Sequence, residues 1–247
     1  MGAARSSDYG QPGVSVIACT NRFDYLNNLF RNYLRQSHTK KELIIIVNND
    51  RIPLSPYLRA ARLLRNVRIY RYPERLSLGA CLNRAVRKAR FGLVAKFDDD
   101  DYYGAYYLAD SIDTLARTGA DVVGKKSHYM YLKGSKSLLL RFSGAENRPV
   151  ARLPGATLVF RRQVFDKVRF PDRSVGEDDL FCLSCRKMGF KVYSGNKFNF
   201  VAIRRKNSAD HTWVISDKEL LDHHKLVHNV HNYKKYVHRK PGAGIRP

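Results

Sequence analysis

The sequence contains no long hydrophobic run. A helix that spans a membrane needs about 18–20 consecutive apolar residues, and the longest candidate here, Leu43 to Val47, has the length and β-branched content of a buried strand. The first dozen residues are polar and rich in glycine, which is not typical of a secretory signal. We therefore expect a soluble cytoplasmic protein, with peripheral contact at the inner face of the membrane as an open alternative.

Cysteine is also scarce. The four cysteines, Cys19, Cys81, Cys182 and Cys185, are too few and too scattered for a disulfide scaffold. Cys182 and Cys185 form one CxxC pair, but a zinc site of this kind usually takes a second pair. The surrounding FCLSCRKMGF segment has the spacing of an amphipathic helix. We therefore interpret this pair as buried thiols.

Acidic residues are few relative to basic ones. The sequence has 22 Asp and Glu residues against 45 Lys and Arg residues, so its formal net charge is +23. Such a surplus favours anionic partners, which include nucleic acid, an anionic membrane and a polyanionic substrate. Charge alone does not choose among these partners.

The sequence does contain a regular alternation of strand and helix patterns. With 44% hydrophobic residues among 247, the chain can bury the core of one large domain. The patterns predict strands at 13–19, 42–47, 67–72 and 93–97, and helices at 24–36, 56–65 and 77–89. Beyond these, they predict a strand at 120–123, a hairpin within 127–142, a helix at 178–188, and strands at 156–160, 190–193 and 198–203. This succession predicts an α/β fold with a mostly parallel sheet flanked by helices and connected by right-handed crossovers.

Four consecutive aspartates, Asp98 to Asp101, follow the fourth predicted strand directly. Ligands of open α/β sheets bind beyond the carboxyl ends of the strands. Adjacent carboxylates repel one another, and a hard cation such as Mg²⁺ or Mn²⁺ removes this repulsion. The position therefore favours a metal site that can hold a diphosphate, and a solvated acidic loop is the competing interpretation.

A second acidic cluster, Glu177 to Asp179, opens a predicted helix. One interpretation is structural, because carboxylates near a helix N-terminus are stabilised by the helix dipole. The functional interpretation is a general base that deprotonates an acceptor hydroxyl. A metal site in one loop and a base in another would together make a site for glycosyl transfer.

These segments resemble family 2 glycosyltransferases, which have the GT-A fold. Five segments between about residues 14 and 203 carry the resemblance in order: VSVIACTNR, LIIIVNND, LGACLNRAVRKARFGLVAKFDDDDYY, GATLVFRRQVF and GEDDLFCLSCRKMGF. The resemblance implies a GT-A-type domain that uses a nucleotide-sugar donor and Mn²⁺ or Mg²⁺. It also implies a single displacement with inversion at the anomeric carbon.

The resemblance assigns roles to the acidic residues one by one. Asp100 matches the DxD position that binds the metal, and Asp98 and Asp99 match positions that contact the ribose or support the metal. Asp178 matches the catalytic base, with Glu177 beside it. His211 matches a histidine downstream of the acidic pair that often completes the metal site, and an ordinary surface turn is the alternative for it.

The nucleoside side of the site departs from the family pattern. Cys19 and Thr20 lie in the turn that lines the nucleoside, but the usual Thr-Tyr-Asn-Arg is replaced by Cys-Thr-Asn-Arg. Asn49 stands where the family commonly has an aspartate that contacts uracil. An asparagine can accept a hydrogen bond there and can also donate one. The resemblance therefore implies a nucleotide-sugar donor, and the departure at Asn49 weakens the implied preference for UDP.

The resemblance and the patterns divide the chain into three parts. We expect a flexible tail over residues 1–12, the GT-A domain over 13–205, and a basic helical extension over 206–247. In the extension, His224, His228 and His231 have the spacing of one helix face. We interpret that face as an amphipathic basic surface, suited to anionic lipid or to a phosphate-bearing polymer. Arg204 and Arg205 are interpreted as exposed charges, with diphosphate binding as the alternative.

The leading hypothesis is therefore a glycosyltransferase of the hexosyl or N-acetylhexosaminyl class. Its acceptor would be a glycan, a cell-surface polysaccharide or a teichoic-acid-like polymer. One alternative is a nucleotidyltransferase, although the ACTNRFDYL turn lacks the glycines of such enzymes. Others are a nucleic-acid-binding or polyanion-binding protein, which four clustered aspartates oppose, and an inactive scaffold of the same fold.

Overall fold

The computed structural model describes residues 10–205, 220, 225–230 and 232–241. The strands are β1 Val14–Thr20, β2 Lys41–Val47, β3 Val67–Arg71, β4 Leu93–Lys96, β5 Tyr102–Tyr103, β6 Val122–Gly124, β7 His128–Leu132, β8 Ser137–Arg141, β9 Arg148–Pro149, β10 Val159–Arg161, β11 Val192–Ser194, β12 Phe200–Arg204 and β13 Lys225–Asn229. The helices are α1 Leu26–Leu34, α2 Ser55–Ala61, α3 Leu78–Lys88, α4 Tyr107–Thr118, α5 Glu177–Lys187 and the short α6 Lys234–Val237.

The first half of the chain forms parallel strands in the order β3-β2-β1-β4. Buried aliphatic side chains from both faces of β1 and β2 fill two separate cores, one on each side of the sheet. That explains why β2 is apolar along almost its whole length. The helix predicted at 77–89 is confirmed, and the Ser77 hydroxyl caps its first turn by accepting a hydrogen bond from the Ala80 N–H at 3.1 Å.

The second half makes the large sheet a mixed one. Strand β10 lies antiparallel between β4 and β6, β11 then pairs parallel with β6, and β9 ends the sheet antiparallel to β11. The predicted strand at 156–160 begins later, because residues Gly155–Thr157 form a 3₁₀ turn. The α/β architecture is confirmed, and the parallel order holds for the four strands of the first half.

A second sheet, which the sequence analysis did not predict, has the order β13-β8-β7-β12-β5. Its β7–β8 hairpin is the one expected within residues 127–142. Strand β5 follows the four aspartates directly and pairs with β12. The second sheet therefore stands beside the carboxyl end of β4 and forms one wall of the space above it.

The prediction of a continuous basic helix at the C-terminus is wrong over residues 225–229. These residues form strand β13, which pairs antiparallel with β8. The prediction placed His224, His228 and His231 on one helix face, and that spacing has this meaning only if residues 225–229 are helical. An open edge of β8 offers unpaired backbone groups, and a strand satisfies them where a helix would not. Only Lys234–Val237 is helical in the described part of this region beyond β13.

Helix α5 is held by aromatic packing. Phe181 is fully buried and stacks on Phe170 with ring centroids 4.2 Å apart, and Phe160 and Phe165 complete the cluster. Cys182 and Cys185 are buried on the same helix with free thiols, so the buried-thiol interpretation is confirmed. In the described part of the chain, no helix has both the length and the apolarity that crossing a bilayer requires.

Candidate active site

A cavity of about 580 Å³ opens where β1 and β4 end. Because these strands are parallel neighbours, their carboxyl ends meet at one edge of the sheet. The second sheet closes the opposite side through residues of β7, β8 and β12. Of the residues predicted for the site, the cavity wall contains Cys19, Thr20, Asp98, Asp99, Asp100 and Asp178.

Asp99 is tied to the turn that follows β1. Its carboxylate accepts a hydrogen bond of 2.6 Å from the Thr20 hydroxyl and contacts the Arg22 guanidinium. Burial, followed by the charge of Asp100, raises the pKa of Asp99 to about 6. Cys19, in the same turn, keeps its proton because burial raises the pKa of its thiol. A hydrogen bond and an ion pair therefore connect the turn after β1 to the aspartate loop.

Arg22 brings a positive charge into the aspartate cluster. One guanidinium nitrogen contacts Asp99, and the other lies 3.0 Å from an Asp100 carboxylate oxygen. The guanidinium also lies over the Tyr25 ring, 4.5 Å from its centroid. The sequence analysis did not assign Arg22 to the site, although its place two residues after Thr20 was a usable signal.

Asp98 and Asp101 face different surroundings. Asp98 is part-exposed to the cavity and pairs with the buried Lys96 ammonium, whose pKa the carboxylates raise against the opposing effect of burial. Asp101 is buried, and its carboxylate accepts a 2.8 Å hydrogen bond from the Ile203 N–H of β12. The side-chain amides of Asn28 and Asn32 donate to the Asp101 carbonyl, both at 2.8 Å. Asp101 therefore fixes the loop to the second sheet.

Asp178 lies on the other side of the cavity, in the first turn of α5. The backbone of Gly155 approaches so closely that its N–H donates a 2.6 Å hydrogen bond to one Asp178 carboxylate oxygen. The other oxygen accepts from the Asp179 N–H at 2.8 Å. A side chain at residue 155 would collide with this carboxylate, since an added Cβ would lie 2.8 Å from it. Glycine is therefore required for this contact.

Glu177 is buried next to Asp178. Burial and the Asp178 charge raise its pKa to about 7, although nearby Lys96 acts in the opposite direction. Glu177 is not among the residues that line the cavity. Glu177 therefore lies beside Asp178 in the chain, but of the two only Asp178 lines the cavity.

Asn49, which was predicted to contact the nucleoside, does not line the cavity. Asn49 uses its side chain locally, where its amide donates to the Asn21 carbonyl at 3.1 Å and its oxygen accepts from the Arg51 N–H at 2.8 Å. Its neighbour Asn48 lines the cavity instead. His211 lies outside the described residues, so its metal role stays a prediction.

Cationic and imidazole side chains of the second sheet also line the cavity. Arg204 is 3% exposed, so its interpretation as an exposed charge is wrong. Arg205 lies 3.9 Å from Asp100. His128 is buried with Nδ1 near the carbonyls of Lys125 and Lys126, and burial lowers its pKa to about 3. Its imidazole is therefore neutral.

Asp98, Asp99 and Asp100 offer the donor atoms that a hard divalent cation prefers. The Arg22 guanidinium, a cation, contacts both Asp99 and Asp100, so these two carboxylates converge on one positive charge. Mg²⁺ and similar ions at nucleotide sites use one or two carboxylates together with substrate phosphates. Within the described residues, no group of three or more His, Cys, Asp or Glu side chains forms a complete metal cage. These residues therefore fit a metal site that substrate oxygens complete.

Comparison with known proteins points to one family. The model of the family described as "Glycosyl transferase family 2" matches residues 15–168, which is more than half of the chain. No curated protein matches the sequence.

Solved structures with the same fold are distant in sequence. The 1–349 fragment of S. aureus TarS in complex with UDP-GlcNAc is 18% identical with a TM-score of 0.61, over 85% of this chain and 64% of that one. The mannosyltransferase PcManGT from Pyrobaculum calidifontis, in complex with GDP-Man and Mn²⁺, is 18% identical with a TM-score of 0.61, over 79% of this chain and 57% of that one. The matched region spans about three fifths of the length of each neighbour, and this similarity establishes the GT-A fold.

Proposed function

The chain belongs to glycosyl transferase family 2, and from this we propose that it is an inverting, metal-dependent transferase. The donor is a nucleotide-sugar, with a UDP-sugar as the first candidate, and the acceptor is a hydroxyl of a glycan. The observation that carries the proposal is the single cavity that has the aspartate loop on one side and Asp178 on the other. The neighbours crystallised with UDP-GlcNAc and with GDP-Man and Mn²⁺ support the donor class and the metal.

In the proposed reaction, Asp178 takes the proton of the acceptor hydroxyl. The oxygen attacks the anomeric carbon as the bond from that carbon to the diphosphate oxygen breaks, and the bonding electrons leave with the nucleoside diphosphate. The Gly155 N–H fixes one carboxylate oxygen of Asp178, which limits its orientation. Precise orientation of a base contributes strongly to rate.

Charge on the leaving diphosphate is stabilised from the opposite side of the cavity. A Mn²⁺ or Mg²⁺ ion held by Asp100, with Asp98 or Asp99 in support, would neutralise this charge when bound. Arg22 and Arg205 already lie beside these carboxylates and offer guanidinium groups to phosphate oxygens. We keep His211 as a proposed further ligand. Thr20 and Cys19 would line the nucleoside.

The first test is thermal stabilisation by a panel of nucleoside diphosphates with and without Mn²⁺. A ligand that binds the folded state raises the melting temperature as its saturation increases. We expect a shift with UDP and Mn²⁺ that Asp100→Asn reduces. The control is Asp113→Asn, which removes the same charge from an exposed residue of α4 that does not line the cavity, and it should leave the shift unchanged. A shift with another nucleotide would keep the transferase class and change the base, whereas the absence of any shift would contradict the proposal.

The second test separates the base from the donor site. Asp178→Asn keeps an oxygen that can accept from the Gly155 N–H and removes the proton acceptor. We expect transfer to be abolished while stabilisation by nucleotide is retained. Full activity in Asp178→Asn would refute the assignment of the base.

A further inference from the structure

A second groove, of about 460 Å³, lies beside the loop that precedes Gly155. Its wall consists of small or apolar residues together with three cationic side chains, those of Lys126, Arg148 and Arg152. Among the described residues that line it, none carries a carboxylate. The groove is therefore positively charged, and its remaining wall is smooth and without bulky side chains.

The nearest carboxylate in the loop does not neutralise this charge. Glu146 is the only acidic residue between positions 142 and 154. Its carboxylate is turned toward Lys197, from which it accepts hydrogen bonds at 3.1 Å from the backbone N–H and 3.0 Å from the ammonium. Arg148 and Arg152 are exposed to solvent. Arg152 forms an ion pair with Asp179 at 3.6 Å, whereas the exposed Arg148 offers its charge to an anionic ligand.

The side chain of Phe142 lies between the groove and the cavity that contains Asp178. The Phe142 ring lies 4.2 Å from the Lys126 ammonium on the groove side and 6.3 Å from the His128 ring, which lines the cavity. Phe142 adopts φ +48°, a left-handed conformation that is rare for a bulky residue and is often found at functional sites. At the other end, Arg152 lies 3.6 Å from Asp179, the residue after the proposed base.

A further basic depression extends this path away from the cavity. It has a volume of about 320 Å³, shares Pro149, Val150 and Ala151 with the groove, and adds Arg186 and Lys191. Cations therefore recur along both sides of the edge strand β9. A ligand that followed this path would need several negative charges spaced along an extended chain.

We propose that this groove is an acceptor subsite for an anionic glycan, whose phosphate or carboxylate groups contact Lys126 and Arg148 while a terminal hydroxyl reaches Asp178. The inference rests on the proposed transferase function and specifies its acceptor class. A nucleic acid fits less well, because single strands are usually held by several aromatic rings that stack on bases. None of the described residues that line this groove is aromatic, and its small residues suit a polyol or sugar chain.

The test compares binding of four fluorescent oligomers of similar length by anisotropy at graded salt. They are an oligogalacturonate with carboxylates, an oligo(glycerol phosphate) with phosphodiesters, a neutral maltooligosaccharide and oligo(dT). The variant is Lys126→Gln with Arg148→Gln. Its control is Arg62→Gln with Arg65→Gln, which removes the same two charges from exposed positions after α2. Melting temperatures, and stabilisation by nucleotide with Mn²⁺, are measured on the same samples.

We expect at least one of the two anionic glycan probes to bind the unmodified protein, with an affinity that falls as salt rises. The groove variant should lose about tenfold in affinity, and the control should lose much less. A second variant, Lys126→Arg with Arg148→Lys, conserves both charges and should bind like the unmodified protein. The preferred probe then distinguishes phosphate from carboxylate acceptors.

Three results would overturn the inference. They are equal losses in the groove variant and the control, tightest binding of oligo(dT) with the same dependence on the groove, and no binding of either anionic glycan. If nucleotide still stabilises the protein in these cases, the acceptor subsite fails alone and the transferase proposal stands. If nucleotide gives no stabilisation, the transferase proposal fails first.

Discussion

Replacing Gly155 with alanine tests directly how the cavity is built. The backbone N–H of Gly155 donates to Asp178, and no positive φ is involved, so alanine can adopt the backbone conformation. The new methyl group would nevertheless lie 2.8 Å from a carboxylate oxygen of Asp178 and 2.9 Å from its Cβ. Ordinary contacts begin near 3.4 Å, so the carboxylate must move by roughly half an ångström.

The loop that carries Gly155 has little freedom to move instead. The Tyr103 hydroxyl donates to the Ala156 carbonyl at 2.7 Å and accepts from the Asp98 N–H at 2.8 Å, which ties this loop to the aspartate loop. The shift therefore falls on Asp178, and because its Cβ is also too close, the first turn of α5 must move with the carboxylate. A displacement of about 1 Å of a catalytic group can cost about 100-fold in rate. We expect Gly155→Ala to lower kcat by about 10- to 100-fold.

The assay follows release of nucleoside diphosphate from the donor that the nucleotide panel identifies. Donor binding should be nearly unchanged, because the aspartate loop is untouched, so the loss should appear in kcat and not in the KM for the donor. Gly92→Ala is the matched control, since a Cβ there meets nothing within 4 Å. A Gly155→Ala enzyme with normal kcat would refute the assignment of Asp178 as the base or the closeness of this contact.

Three further predictions concern charge and packing around the site. Arg22→Met should tighten binding of Mn²⁺ alone by about tenfold in an EPR titration, because a metal at Asp100 otherwise competes with a guanidinium 3.0 Å away. Glu177→Gln should stabilise the protein by about 2 kcal/mol at pH 8 and by little at pH 5 in urea unfolding. The reason is that the pKa of Glu177 rises from 4.5 to about 7 on folding, so the folded state favours the protonated carboxyl. The stability that this preference adds is complete below pH 4.5 and is lost as pH rises through 7. Phe181→Ala should cost about 3–5 kcal/mol in the same assay, because this buried ring stacks on Phe170.

Each of these predictions has a matched comparison. Arg31→Met removes an exposed arginine and should leave Mn²⁺ affinity unchanged. Glu74→Gln, at an exposed carboxylate, should show no such pH dependence, because the raised pKa of Glu177 comes first from burial and then from the charges of Lys96, Asp178 and Asp98. Leu180→Ala, on the solvent side of α5, should cost far less than Phe181→Ala. Equal effects in a variant and its control would contradict the corresponding contact.

Local sequence patterns were reliable where one physical requirement acts on neighbouring residues. The apolar strand β2 must be buried on both faces, and that requirement is visible in its composition. The aspartates after β4 and the acidic pair that opens α5 are chemically unusual in a chain of net charge +23. Their positions at element ends were therefore predictable, and the structure brings Asp98 to Asp100 and Asp178 to one cavity.

Patterns failed where a partner distant in sequence decides the conformation. Residues 225–229 form a strand because β8 presents an open edge, although the spacing of the histidines resembles a helix. Arg204 is buried because the second sheet folds over the cavity, which no pattern around Arg204 indicates. Tertiary context of this kind overrides local preference.

The sequence by itself determined which chemical groups are present and at which strand and helix ends they lie, because periodicity and composition are local properties. Only the tertiary structure decided which of them meet. Arg22 reaches Asp99 across 77 positions of the chain, and Gly155 holds Asp178 across 23. The first contact depends on the pairing of β1 with β4, and the second on the packing of α5 against the turn before β10. Such packing is a property of the whole chain that no short segment encodes.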